Sequence, residues 1–232
     1  MRLLAIFAHP DDESYGPAGT LAKYATEGHA VGLVTLTRGE AGSLGISKEL
    51  GPIVLAERRV EELKCAAKIL NISYLQIYHL PDKRLADLPD ETGTEIIENE
   101  IGKFAPDAVI TFHKDGISGH PDHKTVSRWV LLTIDRLNPA PKLFWFGITP
   151  KQAGHTSARK LFPMKSEKIT HKIDVQNVLE KKIEAIHCHQ TQDELWQSMQ
   201  KIPNGYKSFA RWEHFIQVIP LPTNHSIKSE LF

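Results

Sequence analysis

Two short polar segments carry residue types that can bind a metal ion and move protons. The sequence HPDDE at residues 9–13 follows an apolar stretch, and a polar run at residues 113–123 follows another. Imidazole and carboxylate groups are suitable zinc ligands, and two distant loops often share one site. These residue types predict a metal site held by His9, Asp12 and His123, with the fourth position left to water.

A metal site with three protein ligands is catalytic in form, because zinc lowers the pKa of its bound water to about 7. Asp11 stands next to the predicted ligand Asp12, so it is placed to accept the proton of that water. His120 precedes His123 by three residues, as on the first turn of a helix, and can face the substrate oxyanion. Each segment alone also fits a simple turn or helix cap; only the two together favour a functional site.

The elements that must position these segments alternate between strands and helices. We expect strands at residues 2–8, 30–36, 73–78, 108–112 and 142–146, and helices at residues 19–27, 53–70, 94–104, 123–137 and 175–188. This alternation predicts an α/β fold with a Rossmann-like, mostly parallel sheet and helices on both faces. Ligands bind beyond the carboxyl ends of such strands, which is where the two polar segments stand.

The C-terminal part has a less regular pattern. Residues 149–165 and 198–207 read as loops, and a last aromatic segment follows at residues 209–218. Together with the glycine-bearing loop at residues 37–51, these parts are expected to set the depth of the pocket. Because no repeat, low-complexity tract or linker divides the chain, we predict a single domain over residues 1–232.

The composition excludes several classes of protein. The 232 residues include 28 Lys and Arg against 28 Asp and Glu, and this balance argues against a nucleic-acid partner. No apolar run approaches the roughly 18 residues of a membrane-spanning helix. Cys65 and Cys188 are far apart in the sequence and read as unpaired, small buried hydrophobes, so we expect no disulfide and a cytoplasmic protein.

Four motifs occur in an order that makes the sequence similar to a known family. They are AHPDDE at residues 8–13, TRGEAG at residues 37–42, RVEEL at residues 59–63 and HPDH at residues 120–123. They resemble the LmbE-like, or PIG-L-like, family of zinc-dependent N-acetylglucosaminyl deacetylases. The similarity runs to about Trp129 and returns at residues 189–192, where Thr191 replaces the serine of a His-x-Ser-Gln motif. Ser118 stands where some members have a tyrosine that polarises the carbonyl.

The resemblance implies both a reaction and roles for particular residues. By position, His9, Asp12 and His123 match the zinc ligands, Asp11 matches the general base, and His120 matches the residue that stabilises the oxyanion or protonates the leaving amine. The implied reaction is hydrolysis of the N-acetyl group of an amino-sugar conjugate, with Zn²⁺ as cofactor and that conjugate as the small-molecule partner.

Further candidates for substrate binding each have a plainer alternative. Arg59 matches a family arginine near the substrate, but it also has the spacing for an ion pair with Glu62. Arg38 and Glu40 are candidates to bind sugar hydroxyls, although charged loop residues are mostly solvated. His189 is a candidate near the substrate or in support of the site, but a cation also suits the end of a helix.

Three other functions remain open from the residues alone. Two histidines and a carboxylate also form the facial triad of non-haem iron oxygenases. A nucleotide- or sugar-binding module without hydrolytic activity fits the same architecture. An amidase acting on a larger acyl conjugate fits the same zinc chemistry. A homo-oligomer is also left open.

Overall fold

The computed structural model describes residues 1–43, 50–154, 160–201, 206–224 and 226–232. Within those residues the strands form one sheet of seven, ordered β3-β2-β1-β4-β5-β7-β6. The strands are β1 (Arg2–Phe7), β2 (Ala30–Thr37), β3 (Tyr74–Leu80), β4 (Ala108–Phe112), β5 (Lys142–Gly147), β6 (His171–Asp174) and β7 (Trp212–Ile219). Strands β1 to β5 pair in parallel, whereas β7 is antiparallel to both β5 and β6. The predicted mostly parallel α/β sheet is confirmed.

The helices pack in two groups against this sheet. In the described residues they are α1 (Asp12–Tyr15), α2 (Ala18–Thr26), α3 (Pro52–Ile69), α4 (Asp90–Phe104), α5 (Gly116–Gly119), α6 (Pro121–Asp135), α7 (Pro150–Ala153), α8 (Leu179–Cys188), α9 (Asp193–Gln200) and α10 (Tyr206–Ala210). Helix α4 packs on α6, and α8 packs on α2 and α3. The crossovers from β1 to β2 and from β2 to β3 run toward one edge of the sheet, and those from β3 to β4 and from β4 to β5 run the other way. Because each crossover is right-handed, α2 and α3 lie on one face and α4 and α6 on the other.

The central strand is apolar because both of its faces are covered. Every residue from Leu3 to Phe7 is fully buried, as expected for a strand inside a parallel sheet. The largest cluster of buried side chains extends from Leu3 through to Leu231. The polar residues that follow β1 therefore emerge from the centre of the core, and their positions are held by packing on all sides.

Several predicted boundaries differ from the structure. Helix α4 begins at Asp90, four residues before the predicted start, because Pro89 precedes it and acidic residues favour a first turn. The predicted loop at residues 198–207 is wrong in part, since α9 continues to Gln200 and α10 begins at Tyr206. Parts of the three predicted loops, at residues 44–49, 155–159 and 202–205, lie outside the described residues.

The two cysteines form a disulfide, so the prediction that they are unpaired and buried is wrong. Cys65 on α3 and Cys188 at the end of α8 have their Cα atoms 5.8 Å apart, and Cys65 is exposed. The two helices pack together across a separation of 123 residues, which the spacing of the cysteines along the chain did not indicate. The cysteine content consequently no longer supports a reducing compartment. In the described part of the chain, no helix combines the length and apolarity that crossing a bilayer requires.

Two glycines of α4 should respond in opposite ways to substitution. A Cβ atom at Gly93 would lie 2.0 Å from the Trp129 ring of α6, whereas a Cβ at Gly102 would meet nothing within 4 Å. We expect Gly93→Ala to lower the free energy of unfolding by about 1–3 kcal/mol through overpacking. Gly102→Ala should raise it by about 0.5–1 kcal/mol because alanine favours a helix. Urea denaturation measures both changes, and a neutral Gly93→Ala would contradict the packing of α4 on α6.

Candidate metal centre and active site

The two polar segments of the sequence meet at the carboxyl ends of β1 and β4, which are neighbours at the centre of the sheet. They line a cavity of about 490 Å³. Asp11 and Asp12 approach it from the turn after β1, and His120 and His123 from the start of α6. This meeting follows from the parallel topology, because the ends of parallel strands share one edge of a sheet.

Side-chain donor atoms of three residues in this cavity face one another at the spacing of metal ligands. His9 Nδ1 lies 3.2 Å from His123 Nε2 and 3.5 Å from Asp12 Oδ2, and His123 Nε2 lies 3.2 Å from Asp12 Oδ1. Zinc–ligand bonds of the usual length place the corners of a tetrahedron about 3.3 Å apart. The donor atoms therefore fit a zinc-sized ion with little movement.

Hydrogen bonds on the far side of each ring aim the two imidazoles at this point. His9 Nε2 lies 3.1 Å from a carboxylate oxygen of Asp82 and 3.1 Å from one of Asp122. His123 Nδ1 lies 3.1 Å from the Gly116 carbonyl oxygen. With those nitrogens protonated and donating, the free lone pairs are on His9 Nδ1 and His123 Nε2, as metal binding requires.

Asp82 and Asp122 are supporting residues that the sequence did not single out. Asp122 is fully buried and accepts hydrogen bonds from the backbone N–H groups of Lys83, at 2.7 Å, and Leu85, at 3.1 Å. Asp82 accepts one from Ala41 N–H at 2.8 Å. A signal was present for both: Asp122 lies inside the HPDH motif, and Asp82 stands two residues after the end of β3.

His120 is a further nitrogen donor close to the same point. Nitrogen atoms of His9, His120 and His123 lie within 4.8 Å of one another. The Nδ1 atom of His120 accepts the backbone N–H of Asp122 at 3.1 Å and so caps α6. The proton of a neutral His120 ring is therefore on Nε2, which leaves a hydrogen-bond donor for a bound ligand.

The pKa values show that the cavity favours a cation. Burial alone would raise the pKa of Asp12, but the His123 and His9 imidazoles outweigh it and hold this pKa well below its usual range. Burial lowers the pKa of His9, yet Asp12 and the two supporting carboxylates raise it well above its usual value. Burial and the neighbouring imidazoles lower the pKa of His120 to about 4. His120 is thus neutral at pH 7, beside an excess of carboxylates.

Asp11 is held in a strained backbone conformation at the edge of the cavity. Its φ of 110° lies in the left-handed region, where a non-glycine residue costs about 1–3 kcal/mol. Its backbone N–H donates to Glu13 Oε2 at 3.1 Å, and its carboxylate lies 3.1 Å from an Arg59 nitrogen. Burial raises the pKa of Asp11 to about 6, although Arg59 opposes the shift. The carboxylate remains partly accessible, with 16% of the side chain exposed.

Arg59 is buried against this turn and does not pair with Glu62. Its guanidinium donates to the backbone carbonyls of Pro10 and Gly39 as well as contacting Asp11. Glu62 instead accepts hydrogen bonds from the backbone and hydroxyl of Thr191. The alternative interpretation of Arg59 as one half of a helix-surface ion pair is therefore wrong.

The remaining predicted substrate-binding residues lie outside the cavity lining. His189 is almost fully buried, and its Nε2 lies 2.7 Å from Glu13 Oε1, behind the turn that carries Asp11. Glu40 accepts the backbone N–H of Asp82 at 3.0 Å. Arg38 is half-buried on the same loop. Of the four predicted binding residues, the structure brings only Arg59 to the cavity.

The chain is similar to known proteins along most of its length. It is 29% identical over 220 residues to a probable N-acetyl-alpha-D-glucosaminyl L-malate deacetylase 2 of Bacillus subtilis (strain 168), which covers 90% of this chain and 92% of the relative. It is 27% identical over 228 residues to a 1D-myo-inositol 2-acetamido-2-deoxy-alpha-D-glucopyranoside deacetylase of Mycobacterium sp. (strain JLS), which covers 82% of this chain and 74% of the relative.

Two solved structures share the fold. N,N'-diacetylchitobiose deacetylase from Pyrococcus horikoshii has a TM-score of 0.69 and 20% identity, over 96% of this chain and 87% of that one. GalB, the 4-carboxy-2-hydroxymuconate hydratase of Pseudomonas putida KT2440, has a TM-score of 0.72 and 21% identity, over 96% and 98%. At these identities the likeness concerns the fold alone. Residues 4–134, more than half of the chain, match the PIG-L family of GlcNAc-PI de-N-acetylases, and the chain therefore belongs to the PIG-L family.

Proposed function

We propose that this protein is a zinc-dependent hydrolase that removes the N-acetyl group from an N-acetylglucosaminyl conjugate, and that residues 1–232 act as one domain. The observation that carries the proposal is the set of facing donor atoms on three residues, His9, Asp12 and His123, with the separate carboxylate of Asp11 beside them. The deacetylase names of the sequence relatives support the amino-sugar substrate.

His9, Asp12 and His123 would hold the zinc ion. A bound zinc ion supplies a water of lowered pKa and polarises a carbonyl oxygen. The same donor types also suit iron in an oxygenase. The spare carboxylate of Asp11 favours hydrolysis, because a proton acceptor next to the ligands is what activation of water needs and what a simple binding module lacks.

Asp11 is the proposed general base. Its pKa of about 6 leaves it mainly ionised at pH 7, yet close enough to neutrality to take up a proton and return it. The Arg59 contact fixes the direction of the carboxylate, and the Glu13 contact fixes the turn that carries it. Once protonated, Asp11 can donate to the departing amine nitrogen, so that one residue serves in both halves of the reaction.

His120 is the proposed donor to the developing oxyanion. Its Nδ1 is occupied by the backbone N–H of Asp122, so its Nε2–H is the donor that would hydrogen-bond to the reacting carbonyl oxygen. Because the pKa of His120 is lowered, the ring stays neutral at pH 7 and is a poorer proton source than Asp11. The products are acetate and a free amino sugar.

The first test separates metal binding from the proton transfer. We expect Asp11→Asn to retain near-stoichiometric zinc while turnover falls by about 10²–10⁴-fold, because an amide cannot accept the proton. Elemental analysis and acetate release from N-acetylglucosamine conjugates measure the two properties. Asp87→Asn, a change at an exposed carboxylate paired with Arg84, is the matched control and should affect neither. Full activity in Asp11→Asn would show that the base is another residue.

The assignment of His9 and Asp12 as zinc ligands is tested by metal content. We expect His9→Ala and Asp12→Ala each to lose both bound zinc and acetate release, and a chelator to have the same effect on the unchanged protein. Metal content after dialysis is the measurement, with circular dichroism to show that the fold is intact. Undiminished zinc in Asp12→Ala would point instead to His120 as the third ligand.

Replacing Asp82, which supports His9, should weaken zinc binding without abolishing it. Replacing it with asparagine removes one charged acceptor from His9 Nε2 and leaves all three proposed ligands in place. Zinc affinity should fall by about 10–100-fold, as is usual when a residue that orients a ligand is changed. Competition with a chromophoric chelator measures this, again with Asp87→Asn as control. An unchanged affinity would mean that Asp122 alone orients His9.

A further inference from the structure

The lining of the cavity changes from polar to apolar across the sheet. Strands β1 and β4, which carry the metal site, lie between β2 and β3 on one side and β5 and β7 on the other. The lining on the β2–β3 side is polar and comprises Gly42, Ser43, Arg59, Asp82, Lys83 and Gln192. The lining on the β5–β7 side is mostly apolar and includes Phe146, Ile148, Leu195, Met199, Tyr206 and Trp212.

The apolar side is built by the elements that follow β4. Phe146 and Ile148 come from the end of β5, and Trp212 from the start of β7. Leu195 and Met199 are four residues apart on α9, so they share one face of that helix. Both are half-buried, and Met199 also packs on the cluster that holds Tyr206. The surface thus has several independent apolar contributors.

Three polar side chains at this end bond to other groups of the protein. Lys182 Nζ donates to Glu213 at 2.6 Å and to the Gly16 carbonyl at 2.7 Å. Glu213 also accepts the backbone N–H groups of Gly19 and Thr20. The Ser198 hydroxyl donates to a carbonyl of its own helix. A sugar ring placed against Phe146, Leu195 and Trp212 would bury its hydroxyl groups beside apolar surface, which costs free energy.

The scissile amide must reach the metal site, which lies between the polar and the apolar lining. The sugar and the acyl group stand on either side of that amide, so they lie against different linings. A sugar suits the polar end, and the acyl group on the other side of the carbonyl then extends over β5 and β7. We propose that the protein also hydrolyses amino sugars whose nitrogen carries an aliphatic acyl group longer than acetyl, and that it cleaves these faster than the N-acetyl compound. This inference rests on the proposed function and widens its acyl range.

The bond chemistry is the same hydrolysis with a larger carboxylic acid as product and the amino sugar as leaving group. The water oxygen forms a bond to the acyl carbon and the amide C–N bond breaks. The water proton taken up by Asp11 passes to the sugar nitrogen. A fatty carboxylate and a free amino sugar result, and no co-reactant other than water is consumed.

A chain-length series tests the inference. The zinc-loaded protein is assayed for amine release from methyl glucosaminides bearing acetyl, butyryl, hexanoyl or octanoyl groups on nitrogen. We expect kcat/KM to rise along the series by up to about fourfold for each methylene that becomes buried. The N-acetyl octyl glycoside is assayed in parallel, since it carries a similar chain on the sugar side instead.

Substitutions on α9 test whether the rise in kcat/KM with acyl length comes from contact with the apolar lining. Leu195→Gln and, separately, Met199→Gln should each reduce the ratio of hexanoyl to acetyl kcat/KM by about tenfold, because a polar amide disfavours burial of the chain. Leu221→Gln, at a leucine that is 76% exposed beyond β7, is the matched control and should leave the ratio unchanged. Two variants are used so that misfolding of one leaves the other to decide.

The outcomes separate this inference from the proposed function. The acyl assignment is supported if kcat/KM rises with chain length in the unchanged protein and rises less in either α9 variant. Acetyl as the best substrate, or a gain confined to the octyl glycoside, overturns it and leaves the deacetylase proposal standing. A rising series that neither variant changes overturns the assignment of the chain to this surface. Zinc-loaded protein that cleaves none of the amides overturns both.

Discussion

The orientation of His9 is the constraint on which the rest of the site depends. Asp82 and Asp122 hold its Nε2, and its Nδ1 then faces Asp12 and His123, the other proposed ligands. Burying carboxylates costs several kcal/mol each unless they are well paired. Backbone N–H groups from Ala41 and Lys83 meet that requirement, so the turns after β2 and β3 are as much a part of the site as its motifs.

Asp11 depends on a second set of contacts, which reach it from the far end of the chain. Its strained turn is tied to Glu13, and Glu13 is held by His189. His189 directly follows Cys188, whose disulfide to Cys65 joins α8 to α3. The same helix α3 carries the arginine that contacts the Asp11 carboxylate. Two helices distant in sequence therefore contribute to the position of the Asp11 carboxylate, and the disulfide lies one residue from His189.

The order of the strands places the proposed catalytic residues and the apolar lining of the cavity in different parts of the chain. The segments after β1 and β4 supply the proposed ligands, base and oxyanion donor, and the turns after β2 and β3 supply polar support. The elements from β5 onward supply the apolar lining of the cavity. The proposed chemistry therefore lies at the central strand pair, and the apolar lining lies to one side of it, toward β5 and β7.

The sequence by itself determined the α/β class, the order of the main strands and helices, and the meeting of the HPDDE and HPDH segments at one edge of the sheet. These follow from local periodicity and from the rule that parallel strands end together. Only the tertiary structure decided the residues that act through long-range contacts. The pairing of Cys65 with Cys188, the burial of Arg59 against the Asp11 turn, and the support given by Asp82 all join positions far apart in the chain. Helix α9 and the short strand β6 were likewise missed, because elements at the rim take their form from what they pack against, and a local pattern carries little of that information.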